Sequence, residues 1–139
     1  MPDIFSPEKR SEVMSKIRGK NTKAEMEVFK YLRKRKIYFQ KHYKRGLGKP
    51  DVALPRKKKV VFVDGDFWHG RTIDRVIERE IGNPEYWIPK LKRNMERDLE
   101  INQHYADKGW QVLRVWESDI MRKRDREEVM NKIERFLNE

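Results

Sequence analysis

The sequence predicts an α/β fold, a mixed β-sheet flanked by helices, and three observations predict it. Val60-Val61-Phe62-Val63 is a β-branched apolar run of strand length, and Trp110-Gln111-Val112-Leu113-Arg114-Val115-Trp116 is a second. Stretches with helical spacing and helix-start signals lie before, between and after them. The resulting order, α-α-β-β-β-α-β-α, is that of a sheet with helices packed around it.

Taken in order, Ser6-Pro7-Glu8 is a helix start: a capping serine, proline at the first helical position and an acid in the first turn. Val13, Met14 and Ile17 give this helix, spanning about 6–18, an apolar face, and Gly19 ends it. Thr22-Lys23-Ala24-Glu25 has the capping-box spacing and opens a second helix, with Met26, Phe29, Tyr31 and Leu32, running to about Arg35. Ile37-Tyr38-Phe39 reads as a strand. Gly46-Leu47-Gly48-Lys49-Pro50 is a turn-rich loop into Asp51-Val52-Ala53-Leu54, and the basic turn Pro55 to Lys59 makes 51–54 and 59–64 a hairpin. Positions 70–86 read as polar and irregular, punctuated by Gly82-Asn83-Pro84. A helix is expected after Pro89, running to about Asp107, with Leu91, Met95, Leu99 and Ile101 as its apolar positions. Gly109 precedes the last strand, and 125–138 close the chain as an amphipathic helix. At 139 residues, with no repeats, this is one domain with one core.

Charged residues reach 41% against 37% hydrophobic, with a net charge of +11. High charge of both signs is also a mark of proteins working at high temperature. That does not explain 34 basic residues against 23 acidic ones, so a polyanion, and nucleic acid first, is the expected partner. The absence of cysteine excludes disulfides, thiolate metal sites and cysteine nucleophiles. No apolar run has membrane-spanning length and Met1-Pro2-Asp3-Ile4-Phe5 is not a signal peptide, so a cytoplasmic protein without membrane contact is expected.

The chemistry concentrates where the Val60–Val63 strand runs into Asp64-Gly65-Asp66-Phe67-Trp68-His69. Valines are cheaply buried, but two carboxylates, two aromatic rings and an imidazole have no use as a strand end. Asp51, at the start of the adjacent strand, completes the layout of a metal-dependent nuclease, in which oxygen ligands on neighbouring strands hold Mg²⁺ against a phosphate. Pro-Asp is also a common turn pair. Asp64 and Asp66 share one side if the strand continues that far, and with no lysine beside them they favour a cation; a solvated strand end with an Asx-turn is the alternative. His69 is one of three histidines and, beside carboxylates, a natural general base. Asp98 falls on or beside the inward stripe of its helix, where it needs an imidazole, a metal or an arginine. Glu25 is already explained by the capping box. Phe67 and Trp68 are either core residues of a tight corner or flat surfaces for bases, and Trp87 adds a third ring. The basic clusters, individually solvated surface, together suggest a phosphate-facing patch.

Together these residues resemble the very-short-patch repair endonucleases, bacterial enzymes that nick DNA at T·G mismatches. The match runs through Ser11, Met14, Ile17, Thr22, Glu25, Gly48-Lys49-Pro50-Asp51, Val61 to Gly65, Phe67-Trp68-His69, Tyr86-Trp87, Asn94, Arg97-Asp98, Gly109-Trp110 and Val115-Trp116-Glu117. The resemblance implies a restriction-endonuclease-like core. It implies Mg²⁺ held by Asp51 and the main-chain carbonyl of Val63, His69 as general base, and Glu25, Asp64 and Asp98 in support. Phe67, Trp68 and Trp87 would be a wedge entering duplex DNA, with Ser11, Met14 and Lys49 also at the DNA. The family usually carries a structural zinc on cysteines and a histidine; here Asp66 and Ser118 stand at the first and last ligand positions and Arg71-Thr72-Ile73 supplies no others. No structural zinc is therefore expected, with an Asp66–Arg71 contact bracing the loop instead. The function implied is a Mg²⁺-dependent endonuclease nicking beside a T·G mismatch, acting as a monomer. A restriction-associated or homing-type nuclease cutting intact duplex, and a non-catalytic mismatch-binding module, are the alternatives.

Overall fold

A computed structural model of the chain describes residues 22–74, 77 and 83–139. The helix expected over about 6–18, with Ser11 and Met14, lies outside the described residues. The elements are α1 (Lys23–Lys34), β1 (Gln40–Lys41), β2 (Val52–Leu54), a 3₁₀ turn (Pro55–Lys57), β3 (Lys59–Asp64), α2 (Pro84–Asp107), β4 (Gln111–Trp116), α3 (Glu117–Met121) and α4 (Lys123–Asn138). The sheet order is β1-β2-β3-β4, antiparallel except for the β3–β4 pair, which is parallel. Parallel neighbours need a long crossover, and α2 supplies it.

Alternation along the strands sorts side chains onto two faces. Val52, Val61 and Val115 face Val28, Phe29 and Leu32 of α1, Ile120 of α3, and Met130, Ile133 and Leu137 of α4. Ala53, Val60 and Phe62 face Ile101 and Tyr105 of α2. A smaller cluster, Trp68, Trp87 and Leu91, fixes the N-terminal half of α2 to the corner after β3. The same parity that sends Val60 and Phe62 towards α2 sends Asp64 there too.

Three local expectations are corrected, and one short helix was not expected. The strand lies at Gln40–Lys41, not at Ile37–Phe39: the Phe29 ring stacks on Phe39, so Ile37 and Phe39 serve the α1 packing rather than a ladder, and Tyr38 is exposed. The long helix begins at Pro84, not after Pro89. Pro84 occupies the first turn, where a missing N–H costs nothing, and Pro89 is carried inside the helix. Its buried side is Trp87, Leu91, Ile101 and Tyr105, with Asn94 and Asp98 in the same stripe half-buried; Met95 and Leu99 are exposed. Finally, Trp116 is followed at once by the short helix α3, which carries no apolar period long enough to announce it.

The basic turn 55–59 also has a structural task. Lys57 Nζ donates to the Leu137 carbonyl at 2.9 Å, and Lys59 Nζ to that of Phe136 at 2.5 Å. These ammonium groups satisfy the open carbonyls at the C-terminus of α4, where the helix dipole favours positive charge.

Candidate active site

Glu25 serves two elements at once. Oε2 accepts from the Thr22 amide at 3.2 Å and hydroxyl at 2.7 Å, closing the capping box predicted from the sequence. Oε1 points away from the cap and meets His42 Nε2 at 2.6 Å. The helix start thus delivers a buried carboxylate into a cleft of about 500 Å³, whose lining includes Asp51, Val63, Asp64, His69 and Asp98. His42 had no sequence signal beyond being a histidine. It sits at φ +48°, just after β1, with its amide bonded to the Asp51 carbonyl, so the hairpin brings it to Glu25.

Asp51 follows buried Pro50 and accepts from the Val63 amide at 2.7 Å, which ties the entrance of β2 to the end of β3. Burial pushes its carboxyl up, the neighbouring Glu25 charge pushes it further, and it reaches about 8 despite the Val63 bond. Glu25 feels the same burial, but hydrogen bonds from Asp51, Thr22 and His42 outweigh it and hold its carboxyl below the usual range. The pair therefore shares one proton near neutral pH, as two buried carboxylates must when no cation lies between them.

The second half of the cleft is built around His69. Its position is fixed by a tight corner in which His69, Gly70 and Arg71 donate to the Gly65, Phe67 and Asp66 carbonyls. Gly70, at φ +80°, lies so close to Met95 that a Cβ there would collide with the thioether. Asn94 Nδ2 donates to the Trp68 carbonyl at 3.0 Å, pinning the corner to α2. Asp98, one turn on, meets His69 Nδ1 at 2.5 Å, and Asp64 lies 3.7 Å from Nε2. Burial opposes a charged ring, but the Asp98 bond and the charges of Asp64 and Asp98 outweigh it and Arg114, so the His69 pKa is raised.

Arg114 of β4 is the residue the sequence reading missed. It donates to both Asp64 oxygens, at 3.0 and 3.1 Å, lies 3.5 Å from Asp98, and bonds Asn102 at 2.7 Å. The signal was there: a single charge inside the apolar run of β4, in register with Phe62. Two of the three partners considered for Asp98, an imidazole and an arginine, are present together.

Asp66 does not join Asp64, because the strand ends at Asp64 and the corner turns Asp66 away. The expectation that these two acids favour a shared cation is therefore corrected: each meets an arginine. Asp66 accepts from the Ser118 amide (2.9 Å) and hydroxyl (2.5 Å) and from Arg71 (3.0 Å). Arg71 also bonds Ser118 and Asp119 and lies over the Trp116 ring. The Asp66–Arg71 contact is thus one strand of a four-residue clasp between the corner and α3.

Of the three aromatic residues, Trp68 and Trp87 are buried and only Phe67 keeps part of its ring exposed. Phe67 packs edge-on against both indoles, with centroids 5.6 and 5.0 Å away, and Lys90 Nζ caps the cluster. Lys49, exposed at φ +51°, stands on the rim of the cleft. No helix among the described residues is long and apolar enough to cross a membrane.

Known proteins resemble this chain along most of its length. Residues 2–75 match the family model described as DNA mismatch endonuclease Vsr. A type II nicking enzyme of Neisseria meningitidis serogroup A is 36% identical over 139 residues, covering 100% of this chain and 99% of the relative. Another from Haemophilus parainfluenzae is 34% identical over 122 residues, 86% of each chain. The DNA mismatch endonuclease Vsr of Escherichia coli is 28% identical over 117 residues, 84% of this chain and 74% of the relative.

Proposed function

The chain belongs to the Vsr family of DNA mismatch endonucleases, and from that premise we propose that it nicks double-stranded DNA beside a T·G or related deamination mismatch, using Mg²⁺ held at Asp51. One observation carries the reading: a buried carboxylate pair, Asp51 and Glu25, lines the same cleft as a histidine clamped through Nδ1.

The donor chemistry fits a hard divalent cation, since Asp51, Glu25 and the Val63 carbonyl offer oxygen while the His42 nitrogen beside them is engaged by Glu25, and the proton that Asp51 retains marks a place where positive charge is wanted. Bound there, the cation supplies Lewis-acid stabilisation of charge developing on the scissile phosphate. His69 does the proton work. Asp98 at Nδ1 selects the tautomer whose Nε2 is open to take a proton from water, and Asp64, close to Nε2, stabilises the imidazolium that results. Phe67 is the ring offered to the base stack, with Trp68 and Trp87 as its rigid mount, and Lys49 is placed for a phosphate. The clasp of Asp66, Arg71, Ser118 and Asp119 does the bracing without zinc; stoichiometric zinc in the purified protein overturns that part.

The decisive experiment incubates labelled matched, T·G and T·U duplexes with Mg²⁺. Nicking of the T·G strand, lost in Asp51→Ala, is expected. No cleavage of any duplex, or an unaffected Asp51→Ala, overturns the reading. The type II nicking enzymes among the relatives favour a second reading, in which the same site nicks within a defined sequence; cutting of fully paired DNA at one site would select it.

A further inference from the structure

Arg114 is the only charged residue of β4. Its guanidinium sits between the sheet and α2, over the Phe62 ring at 4.2 Å, and reaches Asp64, Asp98 and Asn102. One of its donors, Nη2, is buried without a partner among the described residues. A guanidinium with one donor unmet stands there for its carboxylate partners rather than for the packing beside Phe62.

We propose that Arg114 is a positioning residue of the cleavage reaction: it holds Asp64 and Asp98, the two carboxylates that address opposite nitrogens of His69, and so keeps the ring aimed to take a proton from water. The proposal rests on the reading of His69 as the base. Three elements converge to build the arrangement, with Asp64 ending β3, Arg114 from its parallel neighbour β4, and Asp98 from the helix that connects them. Without the guanidinium, the two carboxylates would repel one another across the imidazole between them. Arg114 also opposes protonation of the ring, against Asp64 and Asp98, which favour it. The other charged or titratable groups lining the cleft are Glu25 from α1, His42 after β1, Lys49 and Asp51 from the loop before β2, Arg97 from α2 and Glu117 from α3, and all remain when Arg114 is replaced.

The test compares wild type, Arg114→Met and Arg114→Lys by two independent measurements. One is the titration of His69 followed by ¹⁵N NMR in protein free of DNA and metal. The other is the pH dependence of single-turnover cleavage with Mg²⁺. In Arg114→Met the ring should hold its proton to higher pH and the acid limb of the rate profile should follow. Cleavage at neutral pH should fall at least roughly tenfold with KM little changed, and Arg114→Lys should recover part of it. A His69 titration that is the same in Arg114→Met overturns the proposal. A titration that moves while the acid limb stays still supports the Arg114–His69 coupling and overturns His69 as the base. If Arg114→Met does not fold, Asp64→Asn with Arg114→Met removes charge and countercharge together. Its His69 should titrate above that of Asp64→Asn alone, and equality overturns the proposal.

Discussion

The two halves of the cleft use the same residue types and reach opposite electrostatic solutions. On one side buried Glu25 meets half-buried Asp51 and His42, and among the described residues no lysine or arginine contact compensates them; the pair keeps a proton that either carboxyl alone would lose near pH 4. On the other, Asp64 and Asp98 enclose His69 and are held by Arg114, so the cluster carries its own countercharge. A carboxylate cluster is therefore not by itself a cation site. The side where no guanidinium is seen among the described residues is the side at which we propose the metal ion.

The sharpest way to break that contrast is to remove one acid from each half. Asp51→Asn should abolish metal-dependent cleavage and calorimetric Mg²⁺ binding while making the metal-free protein more stable at neutral pH, by about 1–2 kcal/mol. The sign follows from the raised pKa. Between about 4 and about 8 the unfolded chain has lost the Asp51 proton and the folded chain keeps it, so stability falls as pH rises through that window. A lower melting temperature for Asp51→Asn at pH 7.5 would contradict the unmet carboxylate pair.

On the other side, His69→Ala should slow single-turnover cleavage roughly 10²–10⁴-fold with DNA affinity retained. The base works deprotonated, so the rate should climb with pH through a limb above that of an ordinary imidazole. Asp98→Asn should move that limb to lower pH, because Asp98 is the strongest group favouring the charged ring. A limb moving upward would place Asp98 wrongly.

The aromatic corner offers a smaller effect with two separable outcomes. Trp68→Ala should cost about 3–5 kcal/mol of stability as a buried ring is lost. Phe67→Ala should leave the melting temperature nearly unchanged yet weaken binding to T·G duplex by about 1–3 kcal/mol. The reverse pattern would make Trp68 the ring that meets DNA.

Smallest is the clasp. Arg71→Ala should cost about 0.5–1 kcal/mol, since its ion pairs are partly exposed. Burial pushes the Asp66 carboxyl up, but Ser118 and Arg71 more than reverse this and hold it low. Its contribution is therefore present above the unfolded pKa and lost as pH falls through the folded one. The stability gap between wild type and Asp66→Asn, read from melting temperatures, should be open at pH 7 and narrow as the pH falls below the ordinary carboxylate range.

Particular residues mark how far the sequence could be read. The Val60–Val63 strand, the hairpin into it, the capping box at Thr22 and Glu25, and the final helix follow from local periodicity and capping chemistry, and they stand in the structure as expected. Pro89 misled because proline disfavours helix locally, whereas the Trp87 contact with Trp68 and Phe67 holds the helix from Pro84. Leu99 misled because hydrophobicity does not say which face of a helix is turned inward; Asp98, its neighbour, took the inward place.

The sequence by itself determined the Val60–Val63 strand with its hairpin, the capped helix after Thr22 and the last helix, the positive charge, the absence of cysteine chemistry and the candidates Asp51, His69 and Asp98, because those depend on residue type and on spacing within one element. Glu25 became a candidate only through the family resemblance. Only the tertiary structure decided their pairing. That His42 faces Glu25, that Arg114 binds Asp64 and Asp98, and that Asp66 turns to Arg71 and Ser118 are contacts between elements distant along the chain. An ionised group is satisfied by whatever lies within a few ångströms, and that neighbourhood is set by packing rather than by sequence spacing.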